Sequence, residues 1–474
     1  MKKYQIKVNF MSLAIAIVML LGYLLICSEH ITRINKATVA IFCGVVGWVL
    51  FIIMGPDYVE RLHAAEFSNF LSGAPFSIKA VNQFIAENLF AHYLIQISSI
   101  VLYLLATMAI VELLVNNECF EFITTWCRSR STQRVVWTLA TFSFLLSANL
   151  DNLTASVVML LILRQLVINP RQRMYLGCII VIATNCGGCF TVIGDVSSLL
   201  IWSRGAVTPG SYSAALFLPA IVATVVPTAL IARKFPANID LKRPSIFYRG
   251  DNFLLPKWQR SLMLVVGMGG LWFVPTFRRL TGLPPFLGAL CVLGVLWVVN
   301  EIINHKRMQT EQPVSISGGR TLQYEVLQMI MFFIGIALCV AMLTEIGAMH
   351  KVQTWCDEYI HNTYIMSLVL GAVSSVMDNI ALVLSGISIY PVMETTSQMS
   401  DYMQSFTQNG DYWHLIALSG CVGGCLLPIG NTAGYALMKS EDVSILWYLH
   451  HITLKVLIGW LASLGVYFLM AYFL

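Results

Sequence analysis

Three aspartates lie inside long apolar stretches of this chain: Asp151, Asp195 and Asp378. No Lys or Arg stands near any of them in sequence. Burying an ionised carboxylate in a bilayer costs at least ~2.5 kcal/mol, so such a residue is by default a functional-site candidate. The alternative is that each acid only caps a broken helix through backbone N–H groups. We take the three acids as candidate cation- and proton-binding residues.

Neutral oxygen donors accompany these acids, and hard cations such as Na⁺ prefer oxygen ligands. Asn152, Asn379 and Asn431 join the primary candidates, and a supporting set holds Thr154, Asn185, Thr191, Ser197, Ser374 and Thr432. Each Ser or Thr alone is better explained by hydrogen bonding to its own helix, so only the cluster is informative. The set predicts Na⁺ bound at Asp151, Asp195 and Asp378 in competition with a proton, and it requires no cofactor.

The composition identifies a membrane protein. Of 474 residues, 57% are hydrophobic and only 11% charged, against about 25% charged in soluble domains. A soluble enzyme is excluded, and a net charge of +5 is too small to indicate nucleic acid as a partner. The twelve cysteines lie mostly in apolar runs, where a thiol behaves as a small hydrophobe, so no disulfide framework is expected. The lipid bilayer is therefore the expected partner.

Apolar runs of spanning length occur in two sets of six. They lie near 8–28, 37–55, 90–115, 135–163, 174–203 and 212–232, then near 261–277, 284–304, 324–346, 363–391, 412–440 and 450–473. A polar stretch separates the sets. We predict an all-α polytopic protein with a first repeat at 1–235, a cytoplasmic linker at 236–260 and a second repeat at 261–474. The first run is either a retained span or a cleaved signal segment.

Sequence identity between the two sets supports a duplication. The Asp-Asn pairs at 151–152 and 378–379 are 227 positions apart, and GGCFTVIGD at 187–195 matches GGCLLPIGN at 423–431 at an offset of 236. Glu112 and Glu345 also correspond and are secondary candidates. Such internal duplication is typical of secondary transporters.

Two runs in each repeat are predicted to be interrupted. Each arm beside an Asp-Asn pair is too short to cross a ~30 Å core, which indicates re-entrant hairpins at 135–163 and 363–391. The runs at 174–203 and 412–440 are predicted to be helices broken mid-membrane. Their hinge glycines are Gly187, Gly188, Gly194, Gly423, Gly424 and Gly430. Five crossings per half would invert the second repeat, and the basic residues then place the linker inside.

These motifs resemble the NhaD family of sodium/proton antiporters. The resemblance runs from about Glu29 to the C-terminus, in stretches such as FLLSANLDNLTASVVMLLILRQL, VIATNCGGCFTVIGDVSSLLIW, SSVMDNIALVLSG and GGCLLPIGNTAGYALM. It implies two opposed hairpins, two broken helices, a homodimer in the bacterial inner membrane, and expulsion of Na⁺ or Li⁺ in exchange for H⁺. Ala381, Cys189, Cys425 and Asn431 depart from the family pattern, which leaves the ion selectivity open.

Two other functions compete with antiport. One is sodium-coupled uptake of a carboxylate or other anion on the same scaffold, although several carboxylates beside an anionic substrate argue against it. The other is an intramembrane aspartyl protease, suggested faintly by Ile193-Gly194-Asp195. A protease has no reason to repeat the Asp-Asn pair in both halves. Cation/proton antiport is therefore the leading hypothesis.

Overall fold

The computed structural model is helical throughout the part of the chain that it describes. That part comprises residues 2–72, 75–128, 131–236, 239, 241, 255–308, 317–396 and 399–473. Within it the only β contacts are two isolated bridges, Val167 with Leu241 and Met393 with Thr407. The expectation of an all-α fold is confirmed. Most of the linker predicted at 236–260 lies outside the described residues.

The chain divides into two compact units that do not follow the two sequence halves. Unit 1 contains Met1–Val101, Leu327–His361 and Leu384–Pro391, and unit 2 contains Leu102–Val326, Asn362–Val383 and Val392–Leu474. Each unit therefore takes segments from both halves. The division into repeats at 1–235 and 261–474 stays a prediction.

Unit 1 is built from long apolar helices and a series of short ones. Its helices, including those that continue into unit 2, are Lys2–Cys27, Glu29–Thr32, Lys36–Ile53, Gly55–Leu62, Ala64–Leu71, Ile78–Phe84, the π-helical Ile85–Phe90, Ala91–Asn116, Ser317–Glu345, Ala348–Tyr359 and Asn379–Ile389. Asn35 begins the third helix by accepting a hydrogen bond from Ala37 N at 2.8 Å. Trp48, Phe51, Tyr58 and Phe84 pack in the core of this unit.

Unit 2 contains most of the interrupted segments. Its remaining helices are Glu121–Cys127, Thr132–Ser147, Asn152–Leu166, Pro170–Cys189, Val196–Ser203, Pro209–Ala232, Lys257–Leu264, the π-helical Val265–Gly269, Gly270–Thr281, Pro285–Met308, Thr363–Ser374, Asp401–Gln404, Asp411–Gly423, Thr432–Glu441, Ile445–Tyr448, the π-helical Leu449–Thr453 and Leu454–Phe473. Pro209–Ala232 packs against Leu454–Phe473. Gly459 allows the close approach, because a Cβ there would lie 2.5 Å from Pro227 Cγ.

Seven helical stretches in the described residues are long and apolar enough to cross a membrane. They are Lys36–Ile53, Ile78–Asn116, Pro209–Ala232, Lys257–Thr281, Pro285–His305, Val326–Glu345 and Ile445–Phe473. Each corresponds to one of the apolar runs identified in the sequence. The four runs that were expected to be interrupted are each divided into two shorter helices.

The four divided segments form two helix pairs and two broken helices. The first helix pair is Thr132–Ser147 with Asn152–Leu166, and the first broken helix is Pro170–Cys189 with Val196–Ser203. The second helix pair is Thr363–Ser374 with Asn379–Ile389, and the second broken helix is Asp411–Gly423 with Thr432–Glu441. The breaks fall at 148–151, 190–195, 375–378 and 424–431, where the sequence places its aspartates and glycines.

Two arginines that pair with a buried glutamate connect three of these segments. Glu441, at the end of the second broken helix, accepts from Arg164 Nε at 2.8 Å and from Arg173 Nε at 2.7 Å. Arg164 ends the first helix pair, and Arg173 lies in the first turn of the first broken helix. Without the arginines Glu441 would be a buried charge with no partner, so this cluster constrains how the segments of unit 2 meet, although Arg164 itself is half exposed.

Candidate functional site

Each broken helix passes so close to the neighbouring helix pair that only glycine fits. A Cβ at Gly194 would lie 2.7 Å from the Ser147 carbonyl oxygen, and one at Gly430 would lie 2.5 Å from that of Ser374. These two contacts join corresponding positions of the two sequence halves, at the offsets of 227 and 236 seen in the sequence. The close packing brings the breaks of the four segments into one region of unit 2.

Asp195 carries the most heavily engaged carboxylate in this region. Its Oδ2 accepts from Asn379 Nδ2 at 2.9 Å, from Cys421 Sγ at 3.4 Å and from the Ser197 hydroxyl. Its Oδ1 is buried and has no hydrogen-bond partner among the described residues. Asp195 itself is 2% exposed. One oxygen is thus held in place by three donors, and the other is left available to a ligand.

Asp151 shows the same division between its two oxygens. Its Oδ2 accepts from Leu153 N at 3.1 Å and from Thr154 N at 3.5 Å, which caps the second arm of the first helix pair. Its Oδ1 is buried without a hydrogen-bond partner in the described part of the chain. The capping role considered as the alternative is real, but it engages only one oxygen and leaves the other unexplained.

Asp378 caps the corresponding arm in the second half. Its Oδ1 accepts from Ile380 N at 3.2 Å. Asp151 interacts electrostatically with both Asp195 and Asp378, and Asp195 also interacts with Asp378. The structure therefore gathers the three acids in unit 2. Like charges gathered in a buried site favour the binding of a cation or a proton.

Amide side chains link the four segments in two matching chains. In the first, Asn152 Nδ2 donates to Asn185 Oδ1 at 3.0 Å, and Asn185 Nδ2 donates to Asn431 Oδ1 at 3.3 Å. In the second, Asn379 Nδ2 lies 4.0 Å from Cys421 Sγ, which contacts Asp195. Cys421 corresponds to Asn185, and Asp195 to Asn431, at the repeat offset of 236. The first chain therefore consists of three asparagines, whereas the second has a cysteine and an aspartate at the positions that correspond to Asn185 and Asn431.

The supporting residues divide into two groups. Thr191 Oγ1 donates to Ala148 O at 2.6 Å and Ser374 Oγ donates to Gly420 O at 2.6 Å, so both bind backbone. The hydroxyls of Thr154 and Thr432 are buried with no hydrogen-bond partner in the described ranges. These two remain available as oxygen donors to a ligand.

The described residues contain no group of three or more His, Cys, Asp or Glu side chains placed to hold one metal ion. A cation at this site would therefore be bound by a smaller number of carboxylates. Amide, hydroxyl and backbone carbonyl oxygens would complete its coordination, as hard monovalent cations accept.

The two secondary glutamates do not share one environment. Glu112 is half-buried near the end of Ala91–Asn116 in unit 2. Glu345, in unit 1, is 7% exposed and accepts from Tyr93 Oη at 2.7 Å. His63 bridges Glu345 and Glu66, with Nε2 at 2.8 Å from Glu345 Oε2 and Nδ1 at 3.0 Å from Glu66 Oε2. No sequence pattern singles out His63, because its partner Glu345 is 282 positions away.

His63 predicts a pH dependence for the stability of unit 1. The hydrogen bond to Glu345 raises the pKa of His63 above its ordinary 6.5, with the charges of Glu345 and Glu66 adding to the effect. A raised pKa in the folded state stabilises the protein below the unfolded pKa, and this contribution is lost as the pH rises through the folded pKa. His63→Gln should therefore lower the melting temperature of the purified protein at about pH 6 more than at about pH 9.

Tyr93→Phe is the control for this experiment. It removes the other hydrogen bond to Glu345, and the ordinary pKa of a tyrosine side chain, about 10, lies above both pH values. Its effect on the melting temperature should be the same at both. An equal effect of His63→Gln at both pH values would contradict the prediction.

The chain matches the CitMHS family, described as citrate transporter, over residues 6–407. Sodium/proton antiporter 1 of Arabidopsis thaliana is 31% identical over 457 residues, covering 96% of this chain and 72% of the relative. The Na(+)/H(+) antiporter NhaD of Alkalimonas amylolytica is 25% identical over 487 residues, covering 97% of this chain and 90% of that protein.

A solved structure also shares the fold. The YdaH transporter of Alcanivorax borkumensis, whose crystal structure reveals an unusual topology, matches with a TM-score of 0.51 at 12% sequence identity. The match covers 82% of this chain and 89% of that one. The resemblance to NhaD proteins is confirmed by these relatives, and the protease alternative is excluded because the chain is a transporter and not an enzyme. The protein is a multi-pass membrane transporter and belongs to the CitMHS family.

Proposed function

We propose that this protein exchanges Na⁺ or Li⁺ for H⁺ across the bacterial inner membrane. Asp151, Asp195 and Asp378 bind the cation and the proton in competition, with at most two of their carboxylates in direct contact with the ion and the third acting through its charge. The observation that carries the proposal is the pair of buried carboxylate oxygens, Asp151 Oδ1 and Asp195 Oδ1, that no described residue engages. Leaving a charged oxygen unsatisfied in a buried site is costly, and either a cation or a proton removes the cost.

The relatives support this choice of substrate by their names, as sodium/proton antiporters. The bound cation cancels the repulsion among the acids, and a proton on one of them does the same, so the two ligands exclude each other. Exclusive binding is the condition for exchange, because the site then crosses the membrane loaded with one ligand or the other. The two matched sets of contacts support an inverted pair of repeats, and a homodimer is the assembly that we propose.

A test of this function uses everted membrane vesicles that contain the full chain. A fluorescent dye reports the transmembrane pH difference, and Na⁺, Li⁺ or K⁺ is added after the gradient has formed. Na⁺ or Li⁺ should recover the fluorescence in a manner that depends on the amount of protein. Failure of all three cations to change the signal between about pH 6.5 and 9 would reject antiport.

Sodium-coupled uptake of a carboxylate is the second candidate, and the family's description as citrate transporter favours it. A carboxylate substrate needs helix N-termini or cationic side chains as donors. At this site the first-turn N–H groups already donate to the protein's own side chains: Leu153 N to Asp151, Ile380 N to Asp378 and Gly434 N to Asn431. The site therefore suits a cation better. Uptake of radiolabelled citrate or succinate driven by a Na⁺ gradient would favour the second candidate.

A further inference from the structure

A line of hydrogen bonds runs from the start of the second broken helix into the protein. Asp411, the first residue of that helix, is half-buried, and its Oδ1 accepts from the hydroxyl of Tyr467 at 2.7 Å. The Tyr467 oxygen in turn lies 3.1 Å from His414 Nδ1. His414 is 4% exposed, one turn deeper on the same helix as Asp411. The line therefore connects a partly accessible carboxylate to a buried imidazole.

The direction of these bonds defines the form of the histidine. Because the Tyr467 hydroxyl donates to Asp411, its oxygen accepts from Nδ1–H of His414. In a neutral imidazole the other nitrogen, Nε2, is then the acceptor. Nε2 is buried and has no hydrogen-bond partner in the described part of the chain. Leaving a buried acceptor without a partner is unfavourable, and a purely structural role does not explain it.

Tyr212 packs beside His414. The two ring centroids are 5.9 Å apart, and Tyr212 is fully buried in the helix Pro209–Ala232. Its hydroxyl lies near Ser198 without a well-formed hydrogen bond to any described residue. It is also within electrostatic range of Asp195, Cys189 and Cys421. Ser198 Oγ donates to the backbone oxygen of Asp195 at 2.9 Å.

The groups in this line are those that proton relays use. Histidine carries a proton on either ring nitrogen near neutral pH, and a phenol accepts one proton as it donates another. The titratable groups around His414 are Asp411 on its own helix, Tyr467 on Leu454–Phe473 and Tyr212 on Pro209–Ala232. The other oxygen of Asp411 accepts from Tyr364 at 3.2 Å, a contact that does not continue inward.

We propose that Asp411, Tyr467, His414 and Tyr212 form a proton relay that connects the start of the second broken helix to Asp195. The proposal rests on the proposed function, since it supplies the proton that competes with the cation. For each proton delivered, protonated Asp411 loses one and Asp195 gains one. Tyr467, His414 and Tyr212 each accept one proton and release one. The line is interrupted at two steps in this conformation: between His414 Nε2 and Tyr212 Oη, neither of which has a hydrogen-bond partner among the described residues, and between Tyr212 and the carboxylate of Asp195, because Ser198 donates to the backbone oxygen of Asp195 instead.

The relay is tested by separating proton movement from cation movement. The full chain is reconstituted in liposomes, and two fluxes are measured: exchange of radioactive Na⁺ for Na⁺ at equal pH on both sides, and proton flux driven by a Na⁺ gradient. Tyr467→Phe and His414→Phe should lower the proton flux about tenfold to a hundredfold, as expected when a positioned proton-transfer group is removed. Sodium-for-sodium exchange should stay within about twofold of wild type, because it needs no proton.

Tyr364→Phe is the matched control. It removes the tyrosine hydroxyl that donates to the other oxygen of Asp411, Oδ2, which is not the oxygen bound by Tyr467. Both fluxes should be unchanged in this variant. Tyr467→Phe deletes only one oxygen atom, so it tests the relay even if His414→Phe fails to fold.

Two results would overturn the relay. One is a wild-type proton flux in Tyr467→Phe, and the other is an equal loss of both fluxes, which would indicate a structural role. A different result, the absence of both fluxes in wild type, would reject the proposed antiport and the relay with it. Sodium-for-sodium exchange in wild type without proton flux would reject proton coupling while leaving cation transport intact.

Discussion

Asp195→Asn should abolish sodium/proton exchange while leaving the protein folded in the membrane. The amide keeps the shape of the carboxylate but removes its charge. A unit charge about 4 Å from a cation contributes about 4 kcal/mol at an effective dielectric constant near 20, which corresponds to roughly a thousandfold in affinity. Na⁺-dependent recovery in the dye assay should therefore vanish at concentrations that saturate wild type. Asp151→Asn and Asp378→Asn should have the same effect.

The structure itself argues that the fold tolerates this change. Asn431 occupies the position in the second broken helix that corresponds to Asp195 in the first. There its Oδ1 accepts from Gly434 N at 2.6 Å and its Nδ2 donates to Gly424 O at 2.8 Å. An asparagine is thus compatible with this type of helix break. A loss of transport in Asp195→Asn is then attributable to the missing charge.

Asp442→Asn is the control for the loss of an aspartate. Asp442 is exposed and has a φ of 53°, a conformation that asparagine also adopts readily. Exchange and melting temperature should match wild type. Wild-type exchange in both Asp195→Asn and Asp151→Asn would show that these acids are not the binding residues.

The long spans and the breaks could be predicted because both are local properties. A run of about twenty apolar residues indicates a span whatever it packs against, and the described residues contain seven helical stretches long and apolar enough to cross a membrane. The interruptions follow from charge and glycine placed in apolar runs, and the helix boundaries at 148–151 and 424–431 fall there. The assignment of the three acids as ligands stays a prediction, although the structure gathers them in one unit.

The remaining features depend on contacts between distant parts of the chain. The short helices Gly55–Leu62 and Ala64–Leu71 carry no spanning signal, and they form part of the unit 1 core. Sequence reasoning assigns no contact to His414, because its partner Tyr467 lies 53 positions away on another helix. The sequence alone favours a packing role for Cys421. The repeat offset matches it to Asn185, however, and a comparison at that offset could have identified Cys421 as a residue of the site.

The second large effect expected is a failure to fold when the hinge glycines gain a methyl group. A Cβ at Gly187 would overlap the Phe144 carbonyl oxygen, and one at Gly423 would lie 2.5 Å from the Gly371 carbonyl oxygen. Both obstacles are backbone atoms of the adjoining helix pair, so they cannot move aside as a flexible side chain does. Overpacking costs about 1–3 kcal/mol even where side chains can adjust, and here we expect more.

Gly187→Ala and Gly423→Ala should therefore yield little monodisperse protein after extraction from the membrane, with a lowered melting temperature for what remains. Gly294→Ala is the matched control, because a Cβ at Gly294 would meet no atom within 4 Å and the residue lies inside the helix Pro285–Met308. Alanine there should be neutral or stabilising by up to about 1 kcal/mol, as helix propensity predicts. Wild-type melting temperatures in both hinge variants would mean that the broken helices and the helix pairs pack less closely than these contacts require, and the geometry proposed for the ion site would then fail with them.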